Sequence, residues 1–530
     1  MSQSAGVPSV RPFGIRDKIG YMFGDFGNDF TFILQSSFFL VFFTNVVGIE
    51  AAHVGILLLI ARLLDAFVDV AIGIIVDRLS VKNHGTKFKR WIKWFALPVA
   101  ISSALMYMSF VADFNSYGGR VLWMCITYFL WGSFCYSAIN IPYGSMASVV
   151  SSDPNDRAQL SVWRSTGSTL ASAVITAVIP LFAMTKNSAG VSVMVGSRMT
   201  IAAVACSILA VLCYTITYHN VEERVHPTEV EGAKRPSVGA MLKSVFSNRA
   251  LLGLIVAALL LLLAMLFMNS MMSYLFLSWF EAPKAQSAAA LAGSLPAIIL
   301  IVLAPAMAKR WGKAEVGIVF MIIGGAVFIV AYFMHIKSAV LWTIFYAVAM
   351  FCIFVFNYLV WAFVTDVIDD HEVHTGQRDD ATTYAVYSWA RKLGQALAGW
   401  LAGQTLTWIG YDSAGAKAGA AQADSVINSI YMLTNLLPGV LCLAVALALI
   451  FLYPLKKNVV LKNQQILESR RAEQQVALSK QRGIDPGVRG NVKAPGMDSL
   501  PGSNGPMRFD KERFDNPEEH INPSASGSDK

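Results

Sequence analysis

Charge is what this sequence has least of. Only 14% of its 530 residues are Asp, Glu, Lys or Arg, where a soluble globular domain carries roughly 25%. With 55% hydrophobic residues and a mean hydropathy of +0.52, the chain cannot coat itself against water, and a bilayer is the solvent that suits it. Cysteine is scarce as well. Cys125, Cys135, Cys206, Cys213, Cys352 and Cys442 each fall inside an apolar segment and form no C-x-x-C pair, which excludes a zinc or disulfide framework. The phosphate-binding pattern G-x-x-x-x-G-K-[ST] is missing, so nothing in the chain points to ATP as an energy source. HEVH at 371–374 has the wrong spacing for the zinc-protease pattern H-E-x-x-H. No nucleophile–base pairing stands out. The chain therefore reads as neither an enzyme nor a cofactor protein. Its net charge of +8 has no basic face or nucleic-acid motif behind it. The basic residues sit in short runs between apolar stretches, as in loops beside an anionic leaflet. Membrane lipid is the implied surrounding, with no nucleic-acid partner and no obligate protein partner.

Long apolar stretches are what the sequence has most of. A hydrocarbon core about 30 Å thick takes about 20 apolar residues per helix. Twelve stretches qualify, at about 19–46, 51–77, 92–112, 120–147, 163–184, 197–218, 250–279, 286–308, 315–335, 339–366, 383–409 and 427–453. A charged, proline-bearing linker at 219–249 separates a first half, 1–218, from a second, 250–454. This is an all-α membrane protein of twelve transmembrane helices in two six-helix pseudo-symmetric halves, an arrangement that encloses a site near the midplane. Arg11, Arg16 and Lys18 precede the first span, but its length, its Asp25 and Asp29 and the lack of a cleavage site make it a retained helix, not a signal peptide. The loop after the second span carries Arg78, Lys82, Lys87, Lys89, Arg90 and Lys93, whereas GIEAAH at 48–53 has no Lys or Arg. Lys and Arg accumulate in cytoplasmic loops, so both termini are placed in the cytoplasm and the chain in a bacterial inner membrane. From 455 to 530 the composition turns polar. One polar helix can form within LKNQQILESRRAEQQVALSKQRG, and disorder is the expectation for a tail with so little apolar surface.

The informative residues are the charges inside the spans. An ionisable side chain at the centre of a membrane helix costs about 2.5–3.5 kcal/mol on insertion scales, so it is paired or lines a wet cavity. Within RLLDAFVD, Arg62, Asp65 and Asp69 are spaced by three and four residues and stack on one helical face. Two carboxylates so close in low dielectric repel until a cation or proton intervenes. The alternative is that Asp65 merely neutralises Arg62 and Asp69 packs. The first span holds a second pair four apart, Asp25 and Asp29 in GDFGNDF. Asp25 reads as a residue that caps or pairs near the cytoplasmic end, and the deeper Asp29 as an acceptor for sugar hydroxyls. In the second half, Arg391 and Lys392 in SWARKLGQALAGW are the charges well inside a span. Adjacent helical residues face about 100° apart, so one can pair with the second-span carboxylates while its neighbour points elsewhere. Arg164 is open to two readings, one of them snorkelling to the interface. Tyr136, Trp361, Tyr384 and Tyr387 are candidates to stack on a sugar ring, against a background in which most such aromatics pack or belt the membrane.

FGDFGNDF, RLLDAFVDVAIGIIVDR, CYSAINIPYGSM and TDVIDDHEVHTGQRDDATTYAVYSWARKLGQAL resemble, in order and between about residues 14 and 454, the glycoside–pentoside–hexuronide:cation symporters of the major facilitator superfamily. The resemblance implies that Asp65 and Asp69 form a cation site with Ser137 beside it, and that they are metal ligands only if Na⁺ is the coupling ion. It implies that Asp29 binds sugar, that Lys392 interacts with the cation site, and that Tyr136, Asn140, Arg164 and Trp361 hold sugar-site or supporting positions. Arg164 is then open to orienting a sugar carboxylate.

The departures narrow the substrate. Asn140 stands where the melibiose-type carrier has a second sugar-binding aspartate, as in glucuronide-type carriers, which makes room for an anionic sugar. Val364 replaces the acidic residue that precedes the helix 10 motif of the glucuronide carrier. Sodium-using relatives have a polar residue just before the second aspartate of helix 2; here it is Val68, which favours H⁺ over Na⁺. The function implied is symport of a sugar or glycoside, a hexuronide among the options, by alternating access. Its rivals are a lysolipid or other amphiphile carrier on the same fold and a non-transporting membrane sensor.

Overall fold

The computed structural model describes residues 11–78, 86–151, 153–224, 248–375 and 380–481. Most of the 219–249 linker and all of the tail beyond 481 fall outside them. Among the described residues, twelve long helices fall on the twelve apolar stretches. The first half holds α1 (Ile15–Val47), α2 (Ala51–Arg78), α3 (Lys89–Met106), α4 (Tyr117–Val150), α5 (Pro154–Ala183) and α6 (Gly196–Asn220). The second holds α7 (Arg249–Trp279), α8 (Ala285–Trp311), α9 (Lys313–Phe333), α10 (Ala339–Thr375), α11 (Asp380–Trp408) and α12 (Asp424–Phe451). Among the described residues, nine of these are long and apolar enough to cross a membrane. A hairpin of β1 (Met184–Lys186) and β2 (Ser192–Met194) joins α5 to α6.

Two helices overrun their apolar stretches, each for a local reason. α5 starts at Pro154, a residue preorganised for a first helical turn; before it, Ser151 donates to Asp156 at 2.7 Å and accepts from the Asp153 amide at 3.1 Å. α10 runs on to Thr375 through TDVIDDHEVHT, where Lys313 pairs with Asp366 at 2.6 Å and Asn463 donates to Asp370 at 2.9 Å. Asn463 belongs to α13 (Lys457–Gln481), the polar helix that the sequence allows at the start of the tail. Burial of Asn463 and Leu467 there offsets the ordering entropy that composition alone would leave unopposed.

The halves repeat one packing plan. α1 packs on α5 and α6, as α7 packs on α11 and α12, and the halves meet along α2–α11, α5–α8 and α1–α7. The α2–α11 seam depends on glycine. A Cβ on Gly403 would stand 2.4 Å from the Ala51 carbonyl and 2.7 Å from the Gly55 Cα, so only hydrogen fits there. Small residues four apart, here Gly399 and Gly403, allow this approach of membrane helices. At the end of the bundle where α1 stops, contacts bridge the two halves. Thr44 and Tyr274 share a hydrogen bond of 2.7 Å, Tyr411 donates to Asn45 at 2.6 Å, and Asn187 donates to the Gly419 carbonyl at 3.0 Å.

Candidate functional site

Helical periodicity puts Arg62, Asp65 and Asp69 on one face of α2, and the α2–α11 seam turns that face toward α11. Lys392 of α11 forms an ion pair with Asp69 across the seam. Asp65, one turn earlier, lies 3.6 Å from Arg62 and accepts a 2.5 Å hydrogen bond from Ser133. Arg62 in turn donates to Gln35 at 3.1 Å and lies over the Phe32 ring at 5.1 Å. Each carboxylate is thus held by a different basic residue, Asp65 within its own helix and Asp69 from the opposite half.

Ser133 reaches Asp65 because α4 widens into a π-turn over Leu130–Tyr136. Such single wide turns recur at functional sites because they rotate the side chains that follow. Ser137 satisfies the turn itself, donating to the Gly132 carbonyl at 3.2 Å. The hydroxyl given to the Asp65 carboxylate is therefore Ser133, not the Ser137 singled out from the sequence, although Ser137 does line the adjoining cavity. Tyr136 stacks on Phe32 at 5.9 Å. Asn140 accepts from Asn28 at 3.3 Å, and Asn28 accepts from Tyr214 at 2.8 Å, which ties α4, α1 and α6 together behind the cavity wall.

Two cavities lie along the contact between the halves. One, of about 340 Å³, is bounded by Asp65, Asp69, Tyr136, Asn140 and Lys392. The other, of about 430 Å³, is bounded by Asp25, Asn269, Gln286, Asn357 and Tyr358. Phe32, Arg164, Trp361, Arg391 and Gln395 line both. The volumes are those of small-molecule sites.

Arg164 gives its Nε to Asp25 at 2.9 Å and lies over the Tyr143 ring at 5.3 Å. It is therefore committed to Asp25, which does pair as read from the sequence. Asp25 also bounds the larger cavity, whereas Asp29 bounds neither. Asp29 is buried, and its Oδ2 accepts no hydrogen bond among the described residues. Trp361 is 42% exposed and meets Tyr387 edge-on at 4.9 Å. The Tyr384 side chain lies outside the described residues.

The profile of the family described as MFS/sugar transport protein matches residues 20–457. The chain belongs to that family. It is a transporter of the glycoside–pentoside–hexuronide:cation symporter group, not an enzyme. A putative sulfoquinovose importer of Salmonella typhimurium (strain LT2) is 29% identical over 467 residues, covering 85% of this chain and 92% of that one. A glucuronide carrier protein homolog of Escherichia coli (strain K12) is 28% identical over 467 residues, covering 88% and 98%. The crystal structure of a D-xylose–proton symporter superposes with a TM-score of 0.59 at 12% identity, covering 83% of this chain and 98% of its own, a likeness of fold.

For a symporter of this family, the arrangement has a plain chemical capacity. Asp65 and Asp69 are acceptors able to take a proton or, with Ser133, to ligate a small cation by oxygen. Lys392 supplies a tethered positive charge that a bound cation would compete with. Ser133 lies one turn before Ser137 on the same helical face, and residue pattern does not tell which of the two hydroxyls reaches the carboxylate.

Proposed function

We propose that the protein imports a sugar or glycoside together with H⁺ or Na⁺ by alternating access, with both termini in the cytoplasm of a bacterial cell. The observation that carries this reading is the Asp69–Lys392 pair, made across the seam between the halves and beside the central cavities. A cation arriving at Asp69 releases Lys392, so occupancy alters a contact that joins the halves. Because binding free energies are linked reciprocally, a substrate that favours the same rearrangement tightens cation binding by the factor the cation tightens its own. Lys- and Arg-rich loops orient the contacts of Thr44, Asn45 and Asn187 toward the outer face, which makes this the closed outer end. Relatives named for sulfoquinovose and glucuronide support an acidic sugar as a candidate substrate.

The deciding experiment is uptake into proteoliposomes of radiolabelled methyl β-D-glucuronide and methyl β-D-glucoside, under an imposed pH gradient and separately under a Na⁺ gradient. Uphill uptake driven by the pH gradient is expected, with no change in apparent affinity on adding Na⁺, since the residue just before the second aspartate is the apolar Val68. Accumulation driven by Na⁺ alone reverses the choice of ion. Accumulation of neither sugar under either gradient, with uptake of a lysolipid instead, overturns the reading.

Asp29 is assigned to the sugar hydroxyls because its Oδ2 is a buried acceptor still unused; as it bounds neither cavity here, the assignment requires the halves to rearrange when sugar binds. A hydrogen bond to a charged group is worth about 1.5–3 kcal/mol, so Asp29→Ala is expected to weaken sugar binding by about tenfold or more. Purified, folded protein with unchanged affinity in a calorimetric titration removes Asp29 from the site.

A further inference from the structure

Two arginines stand on the wall common to both cavities, and their surroundings differ. Arg164 is neutralised within the chain by Asp25. Arg391 has no ion-pair partner among the described residues. Its guanidinium carbon lies 5.5 Å from the centre of the Trp361 ring and 5.9 Å from that of Tyr387, and its Nη1 donates to the Tyr387 hydroxyl at 3.4 Å. Aromatic faces hold a cation through the ring quadrupole without cancelling its charge. The clamp therefore fixes the planar fork and leaves most of its five N–H donors unspent.

The charges lining the two cavities do not balance. Arg62 faces Asp65, Lys392 faces Asp69 and Arg164 faces Asp25, so among the described lining residues Arg391 is the basic group with no carboxylate in contact; the remaining buried carboxylate, Asp29, bounds neither cavity. An uncompensated cation at membrane depth is expensive and marks a functional position. Guanidinium is also the cation whose fork matches a carboxylate or sulfonate by two parallel hydrogen bonds.

We propose that Arg391, clamped by Trp361 and Tyr387, recognises an anionic group of the substrate, so that the cargo is a sugar bearing a carboxylate or a sulfonate. This rests on the sugar–cation symport reading and names the substrate class for the same site. Arg164 then has a positioning role at Asp25 and does not meet the acid directly. Binding one anion together with one coupling cation adds no net charge to the carrier, which keeps the loaded state affordable in the membrane.

The test measures affinities of purified protein for methyl β-D-glucuronide, methyl α-sulfoquinovoside and methyl β-D-glucoside by calorimetry. The intact protein is expected to bind at least one acid about tenfold more tightly than the glucoside, and the tighter acid distinguishes carboxylate from sulfonate. Arg391→Gln is expected to weaken binding of that acid by about 10- to 100-fold, the loss of a charge-assisted fork, while moving the glucoside by less than about threefold. Arg391→Lys keeps the charge and loses the planar fork; about a fivefold or greater loss on the acid is expected, and this variant decides the matter if the glutamine variant does not fold. Equal binding of acid and glucoside by the intact protein, equal losses on both in Arg391→Gln, or an unchanged acid affinity in Arg391→Lys overturns the proposal while leaving sugar symport standing. Binding of none of the three sugars removes the symport reading together with it.

Discussion

Asp69→Asn is expected to abolish uphill accumulation completely while sparing exchange of labelled for unlabelled substrate at equal concentrations. An amide neither exchanges a proton nor balances a metal ion, so the gradient loses its handle on the carrier, whereas the substrate side of the cavity keeps its residues. The variant also strands Lys392 without its partner, and an uncompensated charge inside the bundle destabilises it. Asp69→Asn combined with Lys392→Ala removes that complication and is expected to restore folding without restoring accumulation. Undiminished accumulation by either variant in vesicles excludes Asp69 from the coupling step. The same measurement on Asp65→Asn separates the two carboxylates, since Asp65 is hydrogen-bonded to Ser133 and paired with Arg62 of its own half, whereas Asp69 is the one in direct contact with Lys392.

The second large effect belongs to a residue with no chemistry. Gly403→Leu is expected to remove transport of every substrate and every ion alike and to lower the melting temperature of the purified protein. The Cβ alone would stand within 2.4 Å of the Ala51 carbonyl, a backbone atom that cannot step aside. Overpacking of this kind costs about 1–3 kcal/mol even where side chains can adjust, and here α2 and α11 must separate. Separation carries Lys392 away from Asp69 and breaks the contact between the halves on which coupling depends. Gly118→Ala is the matched control. Its nearest neighbour to a new Cβ is 3.6 Å away, so uptake and melting temperature are expected to stay at their starting values. Normal transport by a well-folded Gly403→Leu protein contradicts the requirement for close approach.

These expectations put the coupling in a specific exchange of partners. With the cation absent, Lys392 occupies Asp69 and bridges the seam. With it present, Lys392 would be displaced, leaving α2 and α11 joined by the close packing of Ala51, Gly55, Leu58, Gly399 and Gly403. Apolar packing imposes no directional geometry of the kind an ion pair does, so loss of the pair would lower the resistance of the seam to reorientation. The bonds at the closed end, Thr44 to Tyr274 and Tyr411 to Asn45, are then the ones that must yield for the site to face the other way. They are single hydrogen bonds, each worth about 0.5–1.5 kcal/mol net, small enough for substrate and cation binding to overcome.

The sequence by itself determined the twelve helices, because a run of apolar residues long enough to cross the bilayer is a local property that tertiary contacts do not rewrite. It also determined that Arg62, Asp65 and Asp69 share a face, since that follows from helical pitch alone. Where helices outran their apolar stretch, at Pro154 and at 366–375, the extra turns rest on polar partners that hydropathy does not register. Only the tertiary structure decided which of Arg391 and Lys392 meets α2, because sequence leaves the rotation of α11 about its axis open. It alone joined Arg164 to Asp25, 139 residues earlier in the chain. It alone put Asp25 rather than Asp29 on a cavity wall, and gave the Asp65 carboxylate its hydrogen bond from Ser133. Hydrophobicity and pitch act along a single helix and can be read from it; the partner of a buried charge depends on how several helices are rotated against one another, and that is settled only when the bundle packs.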